Sequence, residues 1–252
     1  MPPLSLHTSF ARRIAERLRT AVLDDERGNL YLGATAPDIR VITHWERVRT
    51  HFFDLENFEH QDAVGDFFRA YPALVDAACV SPATRAFIAG YVSHLLLDAT
   101  WISHIYRPFF GRDSELGGGV RANILDRALQ YSLDSDTRGN DELMMNVVEA
   151  VSRCDLDLEI DFIDRETLRD WHRIISDFAA TQPDWGRFRE RTRKHLADTG
   201  VSVEDECEEL VRDLPDLVDE TLRFLSRERI NEWMDESLDQ SVAAVREYLQ
   251  CA

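Results

Sequence analysis

The sequence predicts an all-α protein, and three observations carry that prediction. Apolar residues recur at helical spacing, beginning with Phe10, Ile14, Leu18 and Val22 at i, i+4, i+8 and i+12. Only 11 Gly and 8 Pro in 252 residues leave too few turns for an all-β architecture. Apolar residues make up 44% of the chain and charged ones 30%, which supports a packed core and excludes a disordered or fibrous protein. The length suits one large domain or two small ones. A single all-α domain over residues 1–252 is expected, with an N-terminal half over 1–113 and a helical half over 114–252 that packs on it or lids it.

The first helix carries the stripe just named and is expected to end near Asp24. Residues 28–54 have no period and hold Gly28, Gly33 and Pro37 as breakers. They read as a long irregular segment, of the kind that is functional inside a compact domain. A helix from about Glu59 to Ala78 follows. Ser81-Pro82 has the pattern of an N-cap with proline in the first turn. It opens the most apolar segment of the chain, which Pro108 and Gly111 end. That segment is apolar nearly all round and reads as a central buried helix. Beyond the break at Gly117-Gly118-Gly119, helices are expected at about 120–133, 140–153, 165–180, 185–197, 203–227 and 229–249, with Asn140, Ser202 and Asn231 or its neighbours as starts.

Charge excludes some partners. The 29 basic and 47 acidic residues leave a net charge of −18, which repels phosphate backbones and anionic leaflets, so nucleic acid is not expected to bind by bulk charge. A small anionic ligand can enter only where something local, such as a bound cation, reverses the field. The acidic C-terminal third reads as a solvated helical face. No stretch approaches the roughly 18 apolar residues of a membrane span. The N-terminal residues lack a signal-peptide apolar run before their arginines. No stable membrane insertion and a cytoplasmic location are therefore expected. The four cysteines show no C-x-x-C spacing and read as reduced thiols. Oligomeric state is not legible.

The chemistry concentrates in the N-terminal half. Six of the eight histidines (His7, His44, His51, His60, His94 and His104) lie within the first 104 residues. His94 and Asp98 are four apart, so they share one face of the buried helix, beside Leu95, Leu96 and Leu97. A buried carboxylate needs a cation or a hydrogen-bonding partner. The plain alternative is that Asp98 only accepts a bond from His94 or an arginine. His104 would sit about 80° further round a straight helix, unable to share one ion with His94 but suited to an adjacent one. The H-x3-D-x5-H array therefore suggests neighbouring metal sites bridged or flanked by Asp98. Asp38, His51 and His7 are the further ligand candidates. His44, His60, His172 and His195 are expected to lie outside the ligand set, and Trp45, Tyr91 and Trp101 to serve packing.

These residues resemble a known family. The run from His7 (HTSFARRIAERL), the stretch Gly33 to Asp38 (GATAPD), Thr50 to Asp54 (THFFD) and above all Phe87 to His104 (FIAGYVSHLLLDATWISH) are similar to the zinc-dependent phospholipase C family, which shares its fold with the P1 nuclease type. The resemblance covers about residues 4–110. It implies an all-α fold of phospholipase C / P1 nuclease type and a cluster of up to three zinc ions that hydrolyses phosphate esters. It further implies that Asp38, His51, His94 and Asp98 hold one ion, that His7 and Asp98 hold a second with Asp98 bridging, and that His104 begins a third site. The family's H-x3-E partners of His104 fall on Ala122 and Asp126 here, so that third site is expected to be degraded. Two zinc ions are expected, with iron and manganese left open as the native metal.

The function so implied is metal-dependent hydrolysis of phosphate esters by a two-metal-activated water, phospholipase C-like in being a phosphodiesterase or phosphatase. Asp38 would double as ligand and general base. Arg40, Arg47 or Arg49 would clamp a phosphate bidentately, against the plain alternative of a surface ion pair with Glu46 or its neighbours. The expected partner is a small phosphate-ester substrate. Two other readings stay open. The THFFD stretch with Gly28-Asn29-Leu30 resembles the acyl-carrier-protein phosphodiesterase family, and a non-catalytic helical scaffold could hold a structural ion. An open coordination position separates a hydrolase from a scaffold.

Overall fold

The computed structural model describes residues 1–182, 184, 186, 189–190 and 214–250, and every regular element among them is helical. α1 (Leu4–Leu18) buries Phe10, Ala11 and Ile14 together with His7. Arg19 closes it in the left-handed region at φ 49°. The helix therefore stops short of Asp24, and Val22 belongs to a separate short helix, α2 (Ala21–Asp25).

The stretch 28–54, expected to be irregular, is mostly helical. α3 (Arg27–Thr35) runs into a 3-10 turn at Ala36–Ile39, then α4 (Arg40–Thr43) and α5 (Arg47–His51). The period was invisible because α3 is buried at every residue from Gly28 to Thr35 and so has no polar face. α6 (Ala63–Ala70) is shorter than the expected 59–78. It starts where the Asp62 carboxylate accepts the Gly65 amide at 2.9 Å, and it stops before Pro72. Two 3-10 turns, Pro72–Leu74 and Ala77–Cys79, replace its C-terminal part.

α7 (Pro82–Trp101) is the central helix, opened by the Ser81 hydroxyl accepting the Thr84 amide at 3.3 Å. It packs most extensively against α3. Their axes approach backbone to backbone because Gly33 and Gly90 carry no side chain. A Cβ at Gly33 would strike the Phe87 carbonyl, and one at Gly90 the Leu30 carbonyl. Beyond Trp101 the helix widens to a π segment over Ile102–Phe110 and ends at Gly111. Pro108 lies inside that segment and has no amide to donate to the preceding turn.

α8 (Val120–Arg138) extends five residues beyond expectation, and α9 (Asp141–Val151) begins where the Asn140 side chain accepts the Leu143 amide. α10 (Arg165–Ala180) has the expected bounds. α11 (Leu214–Phe224) and α12 (Arg227–Gln250) follow. α12 starts at Arg227, four residues before Asn231, directly after Ser226, whose hydroxyl accepts the Arg229 amide at 3.2 Å. The helix expected at 185–197, the start of that at 203–227, Ser202 and His195 fall outside the described residues.

The C-terminal helix packs on α7 and α1. The Trp233 ring meets Trp101 at 5.1 Å and Phe10 at 6.3 Å, and its indole N–H donates to Thr100 at 3.2 Å. Ser237 donates to the same hydroxyl at 2.8 Å. No helix among the described residues is long and apolar enough to cross a membrane.

The crossing of α3 and α7 is testable. Gly33→Ala and Gly90→Ala should each cost about 1–3 kcal/mol or more in urea unfolding, since the struck atoms are backbone and cannot rotate away. Gly119→Ala, which meets nothing within 4 Å, should stay within about 0.5 kcal/mol of the parent.

Candidate metal centre

Four elements deliver one polar cluster into this apolar core. α1 supplies His7, the 3-10 turn after α3 supplies Asp38, α5 supplies His51 as its last residue, and α7 supplies His94 and Asp98. The close crossing sets the first contact: the His94 Nδ1–H donates to the Ala34 carbonyl at 2.8 Å. A carbonyl can only accept, so this bond assigns the tautomer and leaves the Nε2 lone pair facing the cluster. His51 is held likewise through Nδ1, 2.8 Å from the Thr50 hydroxyl, while the Tyr91 hydroxyl donates to the Thr50 carbonyl at 2.6 Å.

The free nitrogens and carboxylates converge. His51 Nε2 lies 3.4 Å from Asp38 Oδ1, 3.3 Å from Asp98 Oδ2 and 3.4 Å from His94 Nε2. Asp98 uses its other oxygen toward α1, with Oδ1 3.5 Å from His7 Nε2, and its Oδ2 is 3.9 Å from His94 Nε2. The His7 and His94 rings stack at 3.7 Å, 8° from parallel. Among the described residues two trios with ligand atoms within 4.8 Å of one another result: His7, His94 and Asp98, and Asp38, His51 and His94.

These separations suit a cation. Tetrahedral zinc with bonds of roughly 2.0–2.2 Å spaces its ligand atoms about 3.3–3.6 Å apart. Most of the distances above fall in that range and are too long for good hydrogen bonds. Both nitrogens of His7 and Oδ1 of Asp98 are buried without a hydrogen-bond partner, which is costly unless something further binds there. The donor set of imidazoles and carboxylates fits zinc, and the residues present fit the ion.

Asp98 also has a partner that the spacing on α7 does not show. The Arg47 guanidinium, on α5, donates from Nη2 to Asp98 Oδ2 at 2.8 Å. Of the three loop arginines, it alone turns inward to the cluster. Arg40 donates to the Trp45 carbonyl at 3.3 Å, and Arg49 lies 3.6 Å over the Trp45 ring. Neither sequence distance nor helix phase links Arg47 to Asp98; the link exists only once α5 docks. The side chains of Asp38 and Arg47 are 16% and 11% exposed, so the cluster meets solvent at that edge while Asp98 is 3% exposed.

The electrostatics follow from burial and neighbours. Burial alone would push the Asp38 carboxyl up, but the nearby imidazoles of His51 and His94 outweigh it, lowering it to about 2. Asp98 shows the same balance, with burial opposed by His7, His94, Arg47 and His51, and lies well below the carboxylate range. Burial and then His7 push His94 down to about 3. Near neutrality the centre therefore holds two carboxylates and a neutral His94 ready to bind a cation.

The remaining candidates sit apart from the two trios. His44 and His60 are exposed. His104 is half-buried in the π segment, its Nδ1 without a partner, and it joins neither trio. Because α7 does not stay α-helical to that point, the 80° offset expected on a straight helix does not apply. Ala122 and Asp126 are buried on α8. Asp126 accepts from the Gln130 amide at 2.6 Å through Oδ2, and its Oδ1 is unpartnered. His172 donates to the Val151 carbonyl at 2.8 Å, a structural bond on α10. Gly28-Asn29-Leu30 is structural too, with the Asn29 amide donating to the Asp155 carbonyl at 2.7 Å. Tyr91 and Trp101 are core, whereas Trp45 is only partly buried.

The sequence profile of the family described as zinc dependent phospholipase C matches residues 6–199, more than half of the chain and a span that includes every residue of the cluster. No curated protein and no solved structure gives a significant match.

A pH dependence of the metal-free protein follows. His94 is lowered from 6.5 to about 3, so the unfolded chain binds the extra proton and stability is lost as pH falls through that window. The lowered carboxyls of Asp38 and Asp98 add loss below the usual 3.8. The melting temperature without metal should decline from pH 6.5 toward 4, and His94→Gln should flatten that decline. Equal slopes in the two proteins would contradict the assignment of His94.

Proposed function

Because the chain belongs to the zinc-dependent phospholipase C family, we propose that it is a metal-dependent hydrolase of small phosphate esters whose ions are held by His7, Asp38, His51, His94 and Asp98. The convergence of unpartnered imidazole and carboxylate atoms at tetrahedral spacing carries this reading. Two ions are proposed, one at Asp38, His51 and His94 and one at His7 and Asp98, with Asp98 facing both through its two oxygens. A third is not, because Ala122 has no donor atom and Asp126 already uses one of its two carboxylate oxygens to accept from Gln130.

When bound, zinc lowers the pKa of a water toward about 7 and neutralises charge on the phosphoryl group. The protein's own residues do the rest. Asp38 lies on the solvent-facing edge and stays ionised, so it can accept a hydrogen bond from the attacking water and orient it. With its carboxyl at about 2 it is a weak base, and orientation is its larger contribution. Arg47, at the same edge, is placed to take a phosphoryl oxygen, whereas Arg40 and Arg49 are engaged with Trp45. The Ala34 carbonyl and the Thr50 hydroxyl keep His94 and His51 in one orientation through turnover. The open edge at Asp38 and Arg47 favours a hydrolase over a closed structural site. The carrier-protein reading is not favoured, since Gly28-Asn29-Leu30 lies in the core.

Metal analysis of the purified protein and a screen of chromogenic phosphomonoesters and diesters test the proposal. Asp98→Asn and His94→Ala should lose metal, fall in melting temperature and lose hydrolysis together; unchanged metal content in both would sink it. Zinc titration should show no more than two tight equivalents. Ala122→His with Asp126→Glu should add a third.

A further inference from the structure

We propose that Arg47 is a built-in counter-cation for Asp98, competing with a metal ion for that carboxylate and displaced when the ion binds. The inference rests on the metal-centre reading above and goes beyond it, because it concerns what the protein does when no ion is bound.

Three observations carry it. The guanidinium donates at 2.8 Å to Asp98 Oδ2, the same oxygen that lies 3.3 Å from His51 Nε2 and 3.9 Å from His94 Nε2. Arg47 therefore occupies the side of the carboxylate toward which both imidazole nitrogens point. The pair is nearly closed off from water, with side chains 11% and 3% exposed, so the attraction is weakly screened and a second positive charge on that oxygen would be strongly repelled. And Arg47 is otherwise poorly held. Its Nε is buried without a hydrogen-bond partner, and its Nη1 reaches only the Met1 sulfur, a weak acceptor. Among the described residues, Asp98 is the one anion it pairs with.

An arginine stays protonated at any ordinary pH. Competition at Asp98 is therefore permanent, and the apparent affinity for an ion is the intrinsic affinity reduced by the fraction of molecules in which Arg47 holds the carboxylate. The same exchange leaves the guanidinium free beside the loaded centre, so its availability to a phosphate is conditional on the ion.

The test is calorimetric titration of Zn2+ into metal-stripped wild type, Arg47→Met and Arg47→Lys, with melting temperatures measured without and with saturating zinc. Arg47→Met should bind at least one equivalent tenfold or more tightly than wild type. It should melt lower than wild type without zinc, where Asp98 loses its partner, and close that gap when zinc is saturating. Arg47→Lys keeps the charge without the planar fork and should tighten binding about threefold, which serves if the methionine variant does not fold without metal. Equal or weaker zinc binding in a folded Arg47 variant overturns the competition. A wild type that binds no zinc refutes the metal-centre reading instead, so the two failures are distinct.

Discussion

The backbone contact between α3 and α7 is the constraint on which the rest depends. Two helices without side chains at Gly33 and Gly90 come close enough for the Ala34 carbonyl to receive the His94 imidazole. That one bond fixes which nitrogen faces the cluster. The 3-10 turn that follows α3 then carries Asp38 to within reach of His51, itself held by Thr50. A wider crossing would leave the same residues in the sequence and no cluster in the fold.

The second organising fact is electrostatic. A carboxylate in an apolar core cannot be buried alone, and Asp98 is surrounded by His7 from α1, His51 and Arg47 from α5, and His94 from its own helix. Its two oxygens face two directions, toward α1 and toward α5. The protein thereby makes one side chain common to both halves of the centre, so neither half can change its charge without being felt by the other.

Where polarity had a period, the sequence was legible. Ser81-Pro82, Asn140 and the stripe from Phe10 show helix caps and faces directly, and the His94–Asp98 spacing places both on one face of a helix that turns out to be buried. Asp38 and His51 were legible only as candidates, because nothing local ties either of them to His94 and Asp98 until the turn after α3 and α5 dock against α7. Uniform burial from Gly28 to Thr35 hid α3. The π segment was hidden for another reason: one proline predicts a kink or an end, not a widened register. The Arg47–Asp98 pair lay beyond any local pattern, since it depends on how α5 docks. Asn231 or a neighbour was read as the start of α12, whereas Ser226, five residues before Asn231 and with the same capping chemistry, holds that place.

The order in which the centre assembles follows from where its parts lie along the chain. His94 and Asp98 come together as soon as one helical turn forms. His51 must close 43 residues to meet His94, and His7 must travel about twice that distance from the N-terminus. Doubling a loop adds only about 0.6 kcal/mol of closure entropy, so the remote ligand costs little more at equilibrium than the near one. In time the difference is larger, because contacts of high sequence separation form late. The pair on α7 thus forms locally, and the cluster of candidate ligands is complete only once α1 and α5 dock.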